Sequence, residues 1–317
     1  MHQNALSSAS ETIQSIPEKY TVLLDTDIGD DIDDALALAL ILSSPEIALK
    51  GVTTVFGDTG LRARLAEYIL HIYGRDDIPV AAGIGTPLQP RHRPSGVPQA
   101  ALLDGCIVLP TLSALSGPQL IVQIVSAHPG QLVLLCIGPL TNVAHALLLE
   151  TCILMTIRRI IMMGGTSGLP FPEWNVRSDA KAAQMVLEAG IPITMLGYNV
   201  TARCQLREHD LQHLGGSDSS HMQFLSKLIA VWQRHRPRWH PKFPYLHDPL
   251  TVAALCRPEF FSFEEMTARV LTHGPFKGYM VPRSINGPLV HAAVDVAVAE
   301  AREWVMQRLL SMHTQAP

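Results

Sequence analysis

The sequence predicts an α/β fold with an open, mainly parallel sheet, helices on both faces in a Rossmann-like core, and a small antiparallel addition near the C-terminal end. Short apolar runs such as residues 20–25 alternate with longer helical patterns. The runs are rich in hydrophobic residues, as expected for strands buried on both faces. The 317 residues, 47% of them hydrophobic, can fill a core of that size. This combination is typical of a parallel sheet covered by helices.

The first strand–helix unit is YTVLLD (20–25), followed by a helical pattern that begins at Asp33. Beyond it, residues 266–296 predict antiparallel strands, and a terminal helix contains Trp304. We find no repeat and no linker, so we expect a polar tail over residues 1–19 and a single domain over 20–317. The strand–helix alternation recurs at 47–55 with 61–74, 131–138 with 140–149, 158–165 with 179–190, and 191–197 with a helical region beyond Gln205.

The charges are unevenly distributed. With 24 Lys+Arg and 28 Asp+Glu the net charge is −4, yet six aspartates lie in the ten residues DTDIGDDIDD (25–34). Like charges at this density require solvent or a cation. Asp33 and Asp34 also suit the start of a helix, where the dipole favours anions, but Asp25 and Asp27 leave a buried strand and would be desolvated. Oxygen ligands favour Ca²⁺ or Mg²⁺, and the EF-hand spacing is absent.

Composition excludes several classes of partner. No long Lys/Arg run is present, so we expect no nucleic-acid partner. Apolar runs such as 35–42 are far shorter than a membrane span, and the first residues lack the features of a signal peptide. The five cysteines are widely spaced without a CxxC motif, which is typical of reduced core thiols in a cytoplasmic protein.

Ligands of such sheets bind outside the carboxyl ends of the strands. Polar residues and glycines follow four of the predicted strands, so their side chains should meet at one rim. The Pro-rich segment 87–98 is a candidate lid over that rim. Asn142 could instead cap the helix that follows it. The residues expected at the rim are Asp25, Asp27, Gly57, Asp58, Gly138, Asn142, Gly164, Gly165, Glu173 and Asn175.

The segment DTDIGDDIDDALALAL (25–40) closely resembles the N-terminal signature of the nucleoside hydrolases, the inosine-uridine-preferring ribonucleoside hydrolase family. Further matches follow in order between about Tyr20 and Trp304: VTTVFGD, PVAAG, IGPLTNVA, IMMGG, EWNVRSDAKAA and HDP. The resemblance implies Ca²⁺-dependent hydrolysis of the N-glycosidic bond of ribonucleosides, giving ribose and a free nucleobase. Nearby carboxylates suit that reaction because its transition state resembles a ribosyl cation.

The resemblance also implies roles for individual residues. Asp27 is similar to the general base that activates a metal-bound water, and Asp25 would support it. His247 is the candidate for assisting departure of the base, since it precedes a predicted metal ligand. The implied metal ligands are Asp27, Asp34, the main-chain carbonyl of Ile137, and Asp248. The implied substrate-binding residues are Asp33, Asp58, Met163, Glu173 and Asn175, and the possible nucleobase contacts are Trp232, His235 and Trp239.

The sequence departs from the family pattern in places. The acidic segment is two residues longer and gains Asp30 and Asp31, Asp58 stands where the family usually has Asn, and LDGC (103–106) replaces a His-Gly loop. Two alternatives stay open: an Mg²⁺-dependent phosphatase of haloacid-dehalogenase type, and a degenerate relative that binds nucleosides without turnover. We expect a ribonucleoside substrate, no membrane partner and a homo-oligomer, dimer or tetramer.

Overall fold

The computed structural model describes residues 19–89, 96–104, 112–166, 169, 171–238 and 240–311. Its strands are β1 (Tyr20–Thr26), β2 (Ile47–Thr54), β3 (Val80–Ala82), β4 (Val133–Cys136), β5 (Arg159–Met163), β6 (Ile193–Leu196), β7 (Phe261–Val270), β8 (Met280–Pro282) and β9 (Leu289–Val296). Over these described ranges they form one nine-stranded sheet in the order β3-β2-β1-β4-β5-β6-β9-β7-β8.

The helices pack around this sheet and follow its strands. Two 3-10 helices span Pro98–Leu103 and Pro258–Phe260. The α-helices are α1 (Asp33–Leu42), α2 (Thr59–Ile72), α3 (Gly117–Ala127), α4 (Thr141–Leu149), α5 (Thr151–Leu154), α6 (Trp174–Ser178), α7 (Ala180–Glu188), α8 (Tyr198–Thr201), α9 (Glu208–Gly215), α10 (Ser220–His235), α11 (Pro249–Cys256) and α12 (Val298–Leu310).

The predicted fold class is confirmed. β1 pairs in parallel with both β2 and β4, and the parallel run continues through β5 and β6 to β9. β7 pairs antiparallel with β9 and with β8, which is the C-terminal addition expected for residues 266–296. The central parallel strands read as apolar runs because helices cover both of their faces.

β1 shows how the two faces are filled. Val22 and Leu24 belong to one hydrophobic cluster together with α1, whereas Leu23 belongs to a second cluster on the other face with residues of α3 and α4. All three side chains are fully buried. Each such residue contributes about 1.5–3 kcal/mol through burial. The core therefore fixes β1, and with it the starting point of the acidic segment.

Several features were not predicted or differ from expectation. The amphipathic helix α3, with a capping box at Ser116, follows a stretch to which the sequence reading assigned no element. Cys136, Cys152, Cys204 and Cys256 are free, but Cys152 is exposed because the short α5 lies on the surface, so its assignment to the core was wrong. Cys106, residues 1–18 and residues 90–95 of the candidate lid lie outside the described residues.

The prediction of a single domain over residues 20–317 stays a prediction.

Among the described residues, no helix combines the length and apolarity that crossing a membrane requires.

Candidate active site

The acidic segment runs from the carboxyl end of β1 into the first turn of α1. Asp25 and Asp27 lie at the strand end, and Asp33 and Asp34 are the first two residues of the helix. All four side chains are buried. The positive end of the α1 dipole partly compensates Asp33 and Asp34. Four buried carboxylates within ten residues nevertheless repel one another, so this rim is electrostatically unusual.

Three of these buried carboxylates could share a cation. Oxygens of Asp33, Asp34 and Asp248 lie within 4.8 Å of one another. Asp248 immediately precedes α11, which packs against α1, so two helix N-termini bring the three side chains together. Hard carboxylate oxygens at this separation suit Ca²⁺ or Mg²⁺. The donor set present therefore fits a divalent metal ion.

Burial and mutual repulsion shape the acidity of the cluster. Burial is the main cause that raises the pKa of Asp34 to about 7, although the Thr26 hydroxyl donates a hydrogen bond to Asp34 Oδ1 at 2.5 Å and opposes the rise. Burial, followed by the charges of Asp33 and Asp34, raises the pKa of Asp248 well above its ordinary value. A bound cation would reverse this by favouring the ionised forms.

Asp27 lies beside the three-carboxylate cluster but is not one of its members. Burial, then the charge of Asp34, raises its pKa well above the usual range. An ideal Cβ at Gly138 would lie only 2.9 Å from Asp27 Oδ1, so a side chain at position 138 would occupy the space in front of this carboxylate. Glycine there keeps Asp27 accessible at the rim.

Asp25 is held rigidly behind the rim. Its Oδ1 accepts hydrogen bonds from the Thr53 hydroxyl at 2.6 Å and from Asn142 Nδ2 at 2.7 Å. Burial raises its pKa to about 7. Asn142 lies inside α4, not at its cap, and its Oδ1 accepts from the Ile84 amide at 2.8 Å. Nδ2 of Asn142 also donates to the Thr54 carbonyl oxygen at 3.0 Å, at the end of β2. The capping interpretation of Asn142 was therefore wrong, because its amide links the ends of β1 and β2 to the chain after β3.

The predicted carbonyl ligand and the predicted ribose-binding amide meet at the next strand end. Asn175 Nδ2 donates to the carbonyl oxygen of Ile137 at 2.8 Å and to that of Met163 at 3.1 Å. The sulfur of Met163 also lies 3.7 Å from the same nitrogen. One buried amide thus joins the ends of β4 and β5.

Two further predicted substrate-binding carboxylates cap helices. Glu173, at the start of α6, accepts from the backbone amides of Asn175 at 2.8 Å, Gly165 at 2.9 Å and Val176 at 3.1 Å. Asp58 is exposed at the start of α2 and accepts from the Leu61 amide at 2.9 Å. Each therefore caps a helix N-terminus, a role that the sequence analysis did not predict. Substrate binding by either residue stays a prediction.

His247 lies in an aromatic pocket next to Asp248. Its ring stacks on Tyr198, with centroids 5.4 Å apart, and packs at a tilt of 40° against Tyr245, with centroids 5.0 Å apart. His247 Nδ1 lies 2.8 Å from Thr201 Oγ1. Burial lowers the pKa of His247 to about 4, so the ring is neutral near pH 7. A neutral imidazole can still donate one hydrogen bond, depending on its tautomer.

The structure separates the three possible nucleobase contacts. Trp232 is only 2% exposed and packs against His240 within the core, while His235 is exposed at the end of α10 with Nδ1 2.9 Å from the Val231 carbonyl oxygen. Trp239 lies outside the described residues. Contact of any of the three with a nucleobase stays a prediction.

Sequence reasoning missed Arg62. Its side chain is fully buried below the acidic segment, and its Nη1 donates to the carbonyl oxygen of Ile28 at 2.9 Å. A signal was present, because Arg62 precedes Leu65, Ala66 and Ile69 at helical spacing and therefore lies on the apolar face of α2. A charge on that face must find buried partners.

The family model of inosine-uridine preferring nucleoside hydrolases matches residues 22–306 of this chain. The chain belongs to the nucleoside hydrolase family. Members hydrolyse the N-glycosidic bond of ribonucleosides, so this chain is a ribonucleoside hydrolase, and the phosphatase alternative was wrong. The family is in general metal-dependent, in agreement with the buried carboxylates at the rim.

Individual relatives support the same assignment. Uridine nucleosidase 1 of Arabidopsis thaliana is 32% identical over 280 residues, covering 81% of this hydrolase and 80% of the relative. The pyrimidine-specific ribonucleoside hydrolase RihA of Citrobacter koseri is 32% identical over 270 residues, covering 80% and 85%. The solved plant nucleoside hydrolase PpNRh1 is 28% identical with a TM-score of 0.82, covering 92% of this chain and 98% of its own.

Proposed function

We propose that this nucleoside hydrolase binds Ca²⁺ at the rim and hydrolyses pyrimidine ribonucleosides, uridine foremost. The observation that carries the metal site is the set of three buried carboxylates, Asp33, Asp34 and Asp248, with oxygens within 4.8 Å. The pyrimidine preference is supported by the relatives named uridine nucleosidase and pyrimidine-specific ribonucleoside hydrolase. When bound, the cation supplies positive charge that orients ribose hydroxyls and promotes ionisation of water.

Of the three clustered carboxylates, Asp34 and Asp248 would hold the cation and Asp33 would face the ribose. The neighbouring Asp27 and the carbonyl of Ile137 would complete the ligand set. Asp34 and Asp248 are buried with raised pKa values, which a cation would restore towards the ionised state. The Ile137 carbonyl also accepts from Asn175, so its oxygen is oriented at the rim. Ca²⁺ tolerates such a mixed set of carboxylate and carbonyl oxygens.

Asp27 is proposed as the general base. Its carboxylate is at the rim, next to the cluster, and Gly138 leaves the space in front of Oδ1 free of a side chain. Asp27 would take the proton of the water that attacks the anomeric carbon of ribose. The surrounding carboxylates would stabilise the positive charge that develops on the ribosyl group during bond cleavage.

The ribose is proposed to bind between the cluster and the ends of β4 and β5. Asp33, which shares the cluster, would accept from a ribose hydroxyl, and Met163 would line the sugar. The amide of Asn175 and the carboxylate of Glu173 lie at the same strand ends. Asp58 is proposed to reach the ribose from the start of α2.

His247 is proposed to assist departure of the nucleobase. The Thr201 hydroxyl has two acceptors in reach, His247 Nδ1 at 2.8 Å and the Gly197 carbonyl oxygen at 3.3 Å. Donation along the shorter contact places the ring proton on Nε2. The neutral ring can then donate a hydrogen bond to the leaving base, and Tyr198 and Tyr245 hold it in place.

A release assay tests the proposal. Purified protein is incubated with uridine, cytidine, inosine, adenosine and guanosine, and free base is measured before chelation, after chelation and after Ca²⁺ is restored. We expect release from uridine above all, loss with chelator and recovery with Ca²⁺. Activity that persists after complete metal removal would contradict the Ca²⁺ role, and faster release from inosine than from uridine would contradict the pyrimidine preference.

A further inference from the structure

Arg62 is a buried cation directly beneath the acidic segment. Arg62 is the fourth residue of α2, and its side chain is fully buried. Nε donates to the carbonyl oxygen of Phe56 at 2.7 Å, and Nη1 donates to the carbonyl oxygens of Asp27 and, at 2.9 Å, Ile28. A buried guanidinium is tolerated only when its donors are paired. These contacts join the turn after β2 to the segment that contains Asp27.

The remaining contacts of Arg62 involve Asp30, one of the two residues added to the acidic segment. Nη1 lies 3.2 Å from Asp30 Oδ1 and Nη2 lies 3.4 Å from Asp30 Oδ2. Two guanidinium nitrogens next to the two oxygens of one carboxylate are an arrangement that arginine, unlike lysine, can provide. The Asp30 carboxylate is therefore paired with the guanidinium.

A glutamine from the 3-10 helix packed against α2 also holds this segment. The backbone amide of Gln99 donates to the Gly29 carbonyl oxygen at 3.1 Å, and its Nε2 donates to the Asp31 carbonyl oxygen at 2.6 Å. Gln99 is fully buried in the 3-10 helix Pro98–Leu103. Two buried polar side chains, Arg62 and Gln99, thus hydrogen-bond to backbone carbonyls of the acidic segment.

Arg62 also acts electrostatically on the site. Its charge lowers the pKa of Asp27 and of Asp34, opposing burial and the neighbouring carboxylates, which raise both. It does so without contacting either carboxylate, since its contact with Asp27 is through the backbone carbonyl. A fixed internal cation at this place thus favours the ionised forms of Asp27 and Asp34.

We propose that Arg62 is a positioning residue, with Asp30 as its counterion and not a metal ligand, that sets the metal affinity of the rim and the orientation of Asp27. The inference rests on the proposed metal site. It assigns a role to the two-residue extension: Asp30 anchors the segment to α2, and the Asp31 carbonyl anchors it to Gln99.

The test compares Arg62→Lys with Arg64→Lys. Arg64 lies two residues further along α2 and is exposed, so it is a matched control. Lysine keeps the charge at position 62 but cannot place two nitrogens next to one carboxylate. Ca²⁺ dissociation constants are measured by calorimetry on the purified full chain, together with kcat and KM for uridine. We expect Arg62→Lys to weaken Ca²⁺ binding about 10-fold or more and to lower kcat with a smaller change in KM, and Arg64→Lys to change neither.

Asp30→Asn completes a double-mutant cycle with Arg62→Lys. If the two residues act as a pair, Asp30→Asn weakens Ca²⁺ binding in the wild-type background and has little further effect in the Arg62→Lys background. Equal Ca²⁺ affinity of Arg62→Lys and wild type, within twofold, would overturn the proposal. So would a loss in Asp30→Asn as large as that in Asp248→Asn, because Asp30 would then be a ligand itself.

A second readout separates this proposal from the proposed function. Hydrogen exchange of residues 25–34 is measured in the metal-free protein for wild type, Arg62→Lys and Arg64→Lys. Faster exchange confined to this segment in Arg62→Lys supports positioning even if the wild type binds no Ca²⁺, an outcome that would refute only the metal site. An increase in exchange rate that is spread over the whole chain of Arg62→Lys contradicts the positioning role. So does an exchange rate of residues 25–34 that equals the wild-type rate.

Discussion

Four carboxylates of the acidic segment are buried and crowded, whereas Asp295 and Glu264 of the C-terminal antiparallel region are exposed and paired with arginines. In the acidic segment, Asp27 and Asp34 are buried among other carboxylates and their pKa values are raised. In the C-terminal region, Asp295 is paired with Arg203, which lowers its pKa, and Glu264 accepts from Arg283 at 2.9 Å. Surface pairs of this kind stabilise a fold only weakly. Concentrated repulsion at one rim is thus a cost that a bound cation can offset.

The largest effect is expected from Asp27→Asn, which tests whether a buried carboxylate of the acidic segment acts in catalysis. Asparagine keeps the size of the side chain but cannot accept a proton from water, so we expect kcat to fall by about 10³-fold or more, the scale on which loss of a general base acts. The fold should be retained, since Asp27 is held through its backbone carbonyl. Steady-state kinetics with uridine and circular dichroism provide the check, and near-normal kcat would rule out Asp27 as the base.

The next largest effect is a change in stability when the three-carboxylate cluster loses one of its charges. Asp248→Asn removes one of three crowded carboxylates, so we expect the metal-free variant to be about 1–3 kcal/mol more stable than metal-free wild type near pH 7. It should also lose most of the stabilisation that Ca²⁺ gives to wild type. Thermal unfolding with and without Ca²⁺ measures both quantities.

Asp295→Asn is the matched control in the C-terminal region. Its carboxylate is exposed and already paired, so neither the stability of the metal-free protein nor the Ca²⁺-dependent shift should change noticeably. If Asp248→Asn behaves like Asp295→Asn, the idea that the rim carries unrelieved repulsion is wrong.

A smaller effect is expected from the backbone of the acidic segment. Gly29 has φ +124°, and an ideal Cβ there would lie 2.3 Å from Val97 Cγ1. Gly29→Ala should therefore cost about 1–3 kcal/mol and weaken Ca²⁺ binding, because the segment must shift. Gly130 also has positive φ, +72°, but nothing lies within 4 Å of its Cβ position. Gly130→Ala should cost only about 1 kcal/mol and leave Ca²⁺ affinity unchanged, as urea unfolding and calorimetry can show.

The sequence predicts those features of the site that are encoded within short stretches of the chain. β1, α1 and the acidic segment were predicted because apolar runs, helical periodicity and six aspartates are visible within short windows. The contact of Asn142 with Asp25 spans 117 positions and depends on the order of strands, which no short window contains.

The sequence also did not predict the structural hydrogen bonds of three side chains. Glu173 and Asp58 were assigned to substrate from the family motif alone, yet each accepts from backbone amides at a helix start. Arg62 was overlooked because a charged residue in a helix is normally solvated, and its burial depends on packing of α2 against the segment after β1. Motifs indicate which residues meet, whereas hydrogen-bond partners require the three-dimensional arrangement.

Asp58 provides the smallest expected effect and the most direct separation of cap from ligand. Asp58→Ala removes the acceptor of the Leu61 amide and should cost about 1 kcal/mol of stability, typical of a lost N-cap. Asp58→Asn keeps the cap, since Asn caps as well as Asp, so its stability should match wild type. If Asp58 also binds ribose, both variants change KM for uridine several-fold, and Asp58→Ala does so beyond what its lower stability explains. If KM is unchanged in both while Asp58→Ala is destabilised, Asp58 is a cap only and the predicted ribose contact is wrong, because loss of a hydrogen bond between a carboxylate and the ribose should weaken binding measurably.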